Sequence, residues 1–215
     1  MTIIPVIPRL LALSYAATLG YSAMSIHSLV NRISLFDFTS PASFNVADVA
    51  LWTEVSDTVR TPGKSKAVFS LQQTQMFQRA VMFAMINPQP NGAGFAGVST
   101  KMPAVQAEGA KGLELKVRGQ GQFKHWKVVL KDNVQPFDYE HKFALQKMDE
   151  CEFEDVRLPF SSFEAYKRGK KIDDAPILDL NKVTSIGVQT FGGVYDDFKQ
   201  NGTGSLELDS ISVYI

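Results

Sequence analysis

The sequence is poor in the residues that most often carry chemistry. It has one cysteine, Cys151, and three isolated histidines in a chain of 215 residues. A lone cysteine excludes an intrachain disulfide, and the flanking Glu150 and Glu152 disfavour a reactive thiolate at this position. The histidines and carboxylates lack the spacing of metal ligands, and no glycine-rich phosphate loop is complete. We therefore expect no catalytic residue, no bound metal and no cofactor.

The chain also has no excess of either charge. Lys and Arg number 22, and so do Asp and Glu, which gives a formal net charge of zero. A protein without a basic field is a poor candidate for nucleic-acid binding. Hydrophobic residues make up 45% of the chain and charged residues 20%, which is typical of a globular protein. This length can bury a core without disulfide bonds or metals.

The first 36 residues contain no acidic residue, in contrast to the rest of the chain. They carry Arg9 and Arg32, and a stripe of Ser and Thr at helical spacing runs between them. An acid-free amphipathic start favours a mitochondrial presequence. A secretory signal cleaved near Ala23 and a retained helix remain open alternatives. We predict a targeting or amphipathic segment over residues 1–34 and one folded domain over residues 35–215.

Strand patterns dominate this second part. "GLELKVR" (112–118) alternates apolar and polar residues, and further strands are predicted over 79–86, 125–130, 153–158, 183–191 and 205–215. The apolar parity changes within the last segment, which predicts a bulge near Asp209 and Ser210. Residues 79–86 are apolar on both parities, which predicts a strand that is covered on both faces. Gly- and Pro-rich turns separate the strands, so we expect an all-β sandwich or jelly roll.

Seven motifs occur in an order that is similar to a known family. They are "LFDF" (35–38), "LWTEVSD" (51–57), "NGAGFAGV" (91–98), "GLELKVRGQGQFK" (112–124), "VRLPFSSFEAYKRG" (156–169), "LNKVTSIGVQ" (180–189) and "GSLELDSISVY" (204–214). Together they resemble the complex I intermediate-associated protein 30 family, which is known for a mitochondrial assembly factor of NADH:ubiquinone oxidoreductase. The resemblance implies an all-β jelly-roll β-sandwich similar to galactose-binding domains.

The resemblance also implies a function and a set of partners. We expect a non-catalytic assembly factor that binds complex I subunits and other assembly factors, with peripheral membrane association possible. The chain departs from the family pattern at three points. Thr61–Ser65 replaces a Met-Gly-Gly-x-Ser stretch, Gln120 replaces an aspartate, and Phe153 stands where many members have a tryptophan.

Two segments are our candidates for contact with partner proteins. One is the basic run Lys167, Arg168, Lys170 and Lys171, whose charge could attract an acidic segment. The other is the glycine-rich turn with Arg118, Gln120 and Gln122. A second hypothesis is a secreted module that binds glycans or proteins, with Trp126 and Tyr195 as stacking residues. In that case "NGT" (201–203) would be a glycosylation site at Asn201.

Overall fold

The structure is a computed structural model that describes residues 32–90, 94–105, 108–148 and 151–215. The predicted targeting segment therefore lies outside the described residues, apart from its last three positions. Within the described residues, no helix is long and apolar enough to cross a membrane.

The described residues form strands joined by turns and loops, together with one short α-helix, α1 (Val46–Val49), and three 3-10 helices at Asp57–Val59, Phe160–Ser162 and Leu180–Lys182. The strands are β1 (Arg32–Asp37), β2 (Thr53–Ser56), β3 (Lys66–Gln73), β4 (Gln78–Ile86), β5 (Phe95–Lys101), β6 (Gly112–Gly121), β7 (His125–Asp132), β8 (Asp138–Ala144), β9 (Glu154–Pro159), β10 (Glu164–Lys167), β11 (Lys170–Lys171), β12 (Val183–Phe191) and β13 (Gly202–Tyr214).

These strands build two antiparallel sheets that pack face to face. Sheet A has the order β3-β4-β13-β6-β9, and β1 also pairs with β13. Sheet B has the order β11-β10-β8-β7-β12-β5-β2. Many neighbours in these sheets are distant in sequence, as in a jelly roll with Greek-key connections. The prediction of an all-β jelly-roll sandwich is confirmed.

The core lies between the sheets, where alternate residues of each strand meet. In β6, Leu113, Leu115 and Val117 are fully buried, as the alternation of "GLELKVR" predicted. Trp52 belongs to the same core and stacks on Phe69, with ring centroids 4.7 Å apart. These contacts stabilise the fold by removing large apolar side chains from water.

The loop from β2 to β3 is fixed by a buried carboxylate. Asp57 accepts hydrogen bonds from the backbone nitrogen and the hydroxyl of Ser65, both at 2.8 Å. Gly63 passes so close that a Cβ there would lie 2.0 Å from the carbonyl oxygen of Asp57. The segment Thr61–Ser65 departs from the family pattern, but it retains the serine and one of the two glycines, and this packing requires both.

Two details of the strand predictions had different outcomes. The pairing register of β13 with β6 shifts between Leu208 and Ser210, which confirms the predicted bulge. The prediction that residues 79–86 are covered on both faces is wrong. Phe83 is 54% exposed and Met85 44% exposed, because β4 lies inside sheet A but no described strand or helix covers its outer face at these two positions.

Candidate functional site

The basic run predicted from the sequence forms a tight hairpin at the edge of sheet B. Strands β10 and β11 are joined by Arg168 and Gly169, which have φ values of 54° and 78°. Positive φ at both central positions is typical of a two-residue hairpin turn, in which asparagine and glycine are preferred. Arg168 is the one residue other than glycine with positive φ in the part of the chain that the structure describes.

The lysines of this hairpin differ in their ionic partners. Lys171 pairs with Glu164 at 2.6 Å, and this hydrogen bond helps to lower the pKa of the glutamate. Lys167 and Lys170 lie directly opposite each other in the register of β10 and β11. Together with Arg168 they have no ion pair with any residue that the structure describes. Three cations within four residues are therefore available to an external partner.

Tyr195 approaches the same hairpin from the loop between β12 and β13. A Cβ at Gly169 would lie 3.3 Å from Cε2 of Tyr195, and the tyrosine is 61% exposed. Its loop is held against sheet B by a 2.6 Å ion pair between Lys142 and Asp196. The basic run and Tyr195, which were separate candidates in the sequence, therefore lie on one surface. We call it the basic hairpin surface, and it consists of Lys167, Arg168, Lys170, Lys171 and Tyr195.

The other predicted contact residues, Arg118 and Gln120, lie on the outer face of sheet A. Both bind Glu207 on the neighbouring strand β13. Nη2 of Arg118 donates to both carboxylate oxygens at 2.9 and 2.8 Å, and the amide of Gln120 donates at 2.7 Å. Arg79 adds a third contact to Glu207 from β4 at 3.2 Å. Glu207 is buried, so these side chains stabilise sheet A and have little capacity left for a partner.

Two of the residues at which the chain departs from the family pattern, Gln120 and Phe153, contact the side chains around Glu207. An aspartate at position 120 would face Glu207 and repel it, whereas Gln120 donates a hydrogen bond to the same carboxylate. Phe153 places its ring 4.6 Å from the guanidinium carbon of Arg79 and 5.0 Å from that of Arg118. Both changes are therefore explained by packing on sheet A.

Gln122 is also engaged within the chain, since its side-chain oxygen accepts a hydrogen bond from the backbone nitrogen of Thr203 at 3.1 Å. Asn201 precedes β13 and is exposed. Trp126 cannot stack on a glycan, because it is fully buried. Its position on the inward parity of β7 places the indole in the core, where Nε1 donates to the carbonyl of Phe123 at 3.0 Å.

The sequence did not predict a polar cluster on the outer face of sheet B. Lys127 and Glu140 form an ion pair at 2.7 Å there, and both are buried. Gln189 of β12 lies opposite Lys127 of β7 and is buried as well. The available signal was the single polar residue inside "HWKVVL", but its partners come from strands that are remote in sequence. No three of the His, Cys, Asp and Glu side chains among the described residues converge as metal ligands do.

Comparison with solved structures defines the class of fold. The chain is similar to a family 11 carbohydrate-binding module from Clostridium thermocellum, solved with a β-1,3-1,4-mixed-linked tetrasaccharide. The TM-score is 0.57 at 12% identity, over 85% of this chain and 97% of that one. The family 11 module of the cellulase Lic26A-Cel5E of the same organism gives a TM-score of 0.54 at 12% identity, over 76% and 86% of the two chains. The fold is a jelly roll of the galactose-binding type.

Comparison of sequences identifies the family. The profile of the complex I intermediate-associated protein 30 (CIA30) family matches residues 36–208. The chain therefore belongs to the CIA30 family. An uncharacterized protein of Schizosaccharomyces pombe, C9E9.15, is 28% identical over 134 residues, or 56% of this chain. The match covers 57% of that protein, so the chain spans little more than half the length of this relative.

Proposed function

We propose that this protein is a non-catalytic assembly factor that binds partly assembled intermediates of respiratory complex I in mitochondria. Its partners are complex I subunits and other assembly factors, at the inner membrane or in the matrix. The family match over residues 36–208 is the observation that carries this proposal. The acid-free start of the chain supports import into mitochondria.

The basic hairpin surface is the part of the protein that we propose contacts these partners. Lys167, Arg168 and Lys170 offer three cations without a partner among the described residues, and Tyr195 offers an exposed aromatic ring beside them. Aromatic and arginine side chains are enriched at protein interfaces, and complementary charge accelerates association. Arg118, Gln120 and Gln122, in contrast, are engaged within the chain.

Affinity purification from mitochondria of cells that lack the endogenous protein tests both parts of the proposal. The tagged wild type should recover complex I subunits, as measured by quantitative mass spectrometry. The double variant Lys167→Glu/Lys170→Glu should recover markedly less. Its melting temperature should not fall, because neither lysine has an ion-pair partner to lose among the described residues.

The control variant is Lys64→Glu/Lys124→Glu, which makes the same change of charge at two exposed lysines elsewhere. If both variants lose complex I subunits equally, the contact surface is placed wrongly. If the wild type recovers no complex I subunit, the assembly role itself is refuted. Peptide mass spectrometry adds a test of compartment, since a glycan on Asn201 would show passage through the secretory route.

A further inference from the structure

The exposed apolar side chains of the protein are concentrated on one part of the fold. Eleven large hydrophobic side chains are exposed among the described residues, and eight of them lie between positions 46 and 85. These eight are Val46, Leu51, Val59, Val68, Met76, Phe77, Phe83 and Met85. Val68 and Phe83 lie opposite each other in the register of β3 and β4, on the outer face of sheet A. Such a concentration of apolar side chains is typical of a surface that another molecule covers.

Strand β3 forms an edge of sheet A, and its backbone groups alternate in direction along the strand. The backbone nitrogen of Thr74, which follows β3, donates across the turn to β4 at 2.9 Å, so the even-numbered residues of β3 face β4. The backbone nitrogen of Ala67 agrees with this direction, since it donates to the side chain of Glu54 at 3.2 Å. The amides and carbonyls of Phe69 and Leu71 therefore point to the open edge, where no described strand pairs with them.

The β3 edge lacks the charges that protect other edges of the two sheets. Strand β9, at the opposite edge of sheet A, carries three charged residues and ends in Pro159, and β11 in sheet B consists of two lysines. Lysine and proline on an edge strand prevent pairing with other chains. Strand β3 has eight residues and one charge, Lys66, which forms an ion pair with Glu54. The only other charge up to the end of β4 is Arg79, which binds Glu207. The edge is therefore open to pairing with another extended chain.

The charge and symmetry of the β3 edge favour a second copy of the same chain as the molecule that covers it. A two-fold axis perpendicular to sheet A pairs β3 of one copy with β3 of the other in antiparallel orientation. No like charges then lie opposite each other, because Lys66 stands at the end of the strand and the other seven residues are uncharged. The added strand also covers Val68, which is 58% exposed. A charged partner segment would find no counter-charge here, whereas the edge is complementary to itself.

From this arrangement we propose that the protein forms a two-fold dimer in which the β3 edges of two copies pair and join their A sheets into one continuous sheet. Phe69 and Leu71 provide the main-chain hydrogen bonds, because the amide of Ala67 is already occupied by Glu54. The contact is about 27 Å long and, with a width of about 20 Å across both sheets of the sandwich, buries on the order of 500 Å² on each copy.

An interface of this size is near the lower limit for specific association, so the dimer is weak and reversible. It also leaves the basic hairpin surface free. Strand β2, whose Glu54 contacts β3, lies at one end of sheet B, and the hairpin strand β11 lies at the other end. The dimer and the proposed contact with complex I subunits therefore use different parts of the protein.

Sedimentation equilibrium on the purified full chain tests this proposal. The wild type should show a monomer–dimer equilibrium with a dissociation constant in the micromolar range. Ser70 lies on the outer face of β3, and pairing through Phe69 and Leu71 brings Ser70 of the two copies opposite or diagonal to each other. Ser70→Lys and Ser70→Glu should each weaken dimerisation about tenfold or more, because like charges at facing positions repel. An equimolar mixture of the two variants should restore dimerisation, since the charges are then opposite.

The matched controls are Ser161→Lys and Ser161→Glu, which make the same changes at an exposed serine between β9 and β10 and should dimerise as the wild type does. Near-ultraviolet circular dichroism verifies that each variant is folded. A wild type that stays monomeric up to about 200 μM overturns the proposal. So does a dimer that Ser70→Lys leaves intact, a mixture that stays monomeric, or an equal loss in the Ser161 variants. None of these results affects the assembly role, which is tested by capture of complex I subunits.

Discussion

Glu207 is the residue whose removal should damage the fold most clearly. Its carboxylate is buried and accepts from Arg79, Arg118 and Gln120 on the two neighbouring strands of sheet A. Glu207→Ala would leave two guanidinium groups and one amide without their acceptor. Breaking a buried ion pair by removing one partner costs about 3–5 kcal/mol. The arginines are partly exposed, so we expect a loss near the lower end, about 3 kcal/mol.

Urea denaturation followed by tryptophan fluorescence measures this loss, because both Trp52 and Trp126 lie in the core. Small domains are stable by about 5–15 kcal/mol, so such a loss should move the midpoint strongly while the slope stays constant. Glu164→Ala is the control, since its ion pair with Lys171 is largely exposed and is worth less than about 1 kcal/mol. A loss below about 1 kcal/mol in Glu207→Ala, or equal losses in both variants, would refute the structural role assigned to Arg118 and Gln120.

Two further predictions concern the pH dependence of stability. Burial raises the pKa of Asp209, and its Oδ1 has no hydrogen-bond partner among the described residues, so the ionised form is disfavoured in the folded state. Stability is lost as pH rises through that pKa, so Asp209→Asn should unfold at higher urea than the wild type at neutral pH, with the difference vanishing in acid. No gain at neutral pH would contradict this. Burial lowers the pKa of His141, because the folded protein favours the neutral imidazole. The contribution of this residue to folding stability is therefore complete above about pH 6.5, its unfolded pKa, and is lost as pH falls through the folded pKa. His141→Phe should therefore show a smaller decline in melting temperature between about pH 7 and 5 than the wild type, and an equal decline would count against the assignment.

The fold was accessible from sequence where one face of a strand meets the core and the other meets water. "GLELKVR" is such a strand, and its apolar parity identified β6 and its inward residues. Strand β3 was not recognised, because the apolar Val68 lies on its exposed outer face and the polar "SLQQ" stretch hides the alternation. The prediction for β4 was wrong because Phe83 and Met85 are apolar and yet face outward on sheet A, where they are exposed. The pattern of apolar residues along a strand shows which of its faces are polar. Whether a face is exposed depends on which layers pack against it in the fold.

The site could be predicted only where its residues are contiguous. The lysines and Arg168 form a contiguous charge run with a turn signal, so an exposed basic turn could be predicted from local sequence, although the β10–β11 hairpin could not. The approach of Tyr195 could not be predicted, because the two segments meet only through the order of strands in sheet B. For the same reason the sequence could not show that Arg118 pairs with Glu207, which lies on a strand that is remote in sequence. Cross-strand partners follow from register, and register is a property of the whole sheet.

The residues at the tip of the hairpin can be explained in two ways: they prevent the edge of sheet B from pairing with other chains, or they bind a partner protein. Lysine on an edge strand prevents pairing with other chains, which accounts for Lys170 on β11. It does not account for Lys167 directly opposite, where like charges repel, nor for Arg168 in a conformation that asparagine or glycine adopts at lower cost. Arg168→Asn should therefore raise the unfolding free energy by a few tenths of a kcal/mol, on the order of 0.5 kcal/mol, and weaken capture of complex I subunits. Opposite changes in stability and binding are expected of a residue that is retained for a partner. If Arg168→Asn gains stability and binds as the wild type does, the turn serves only the fold.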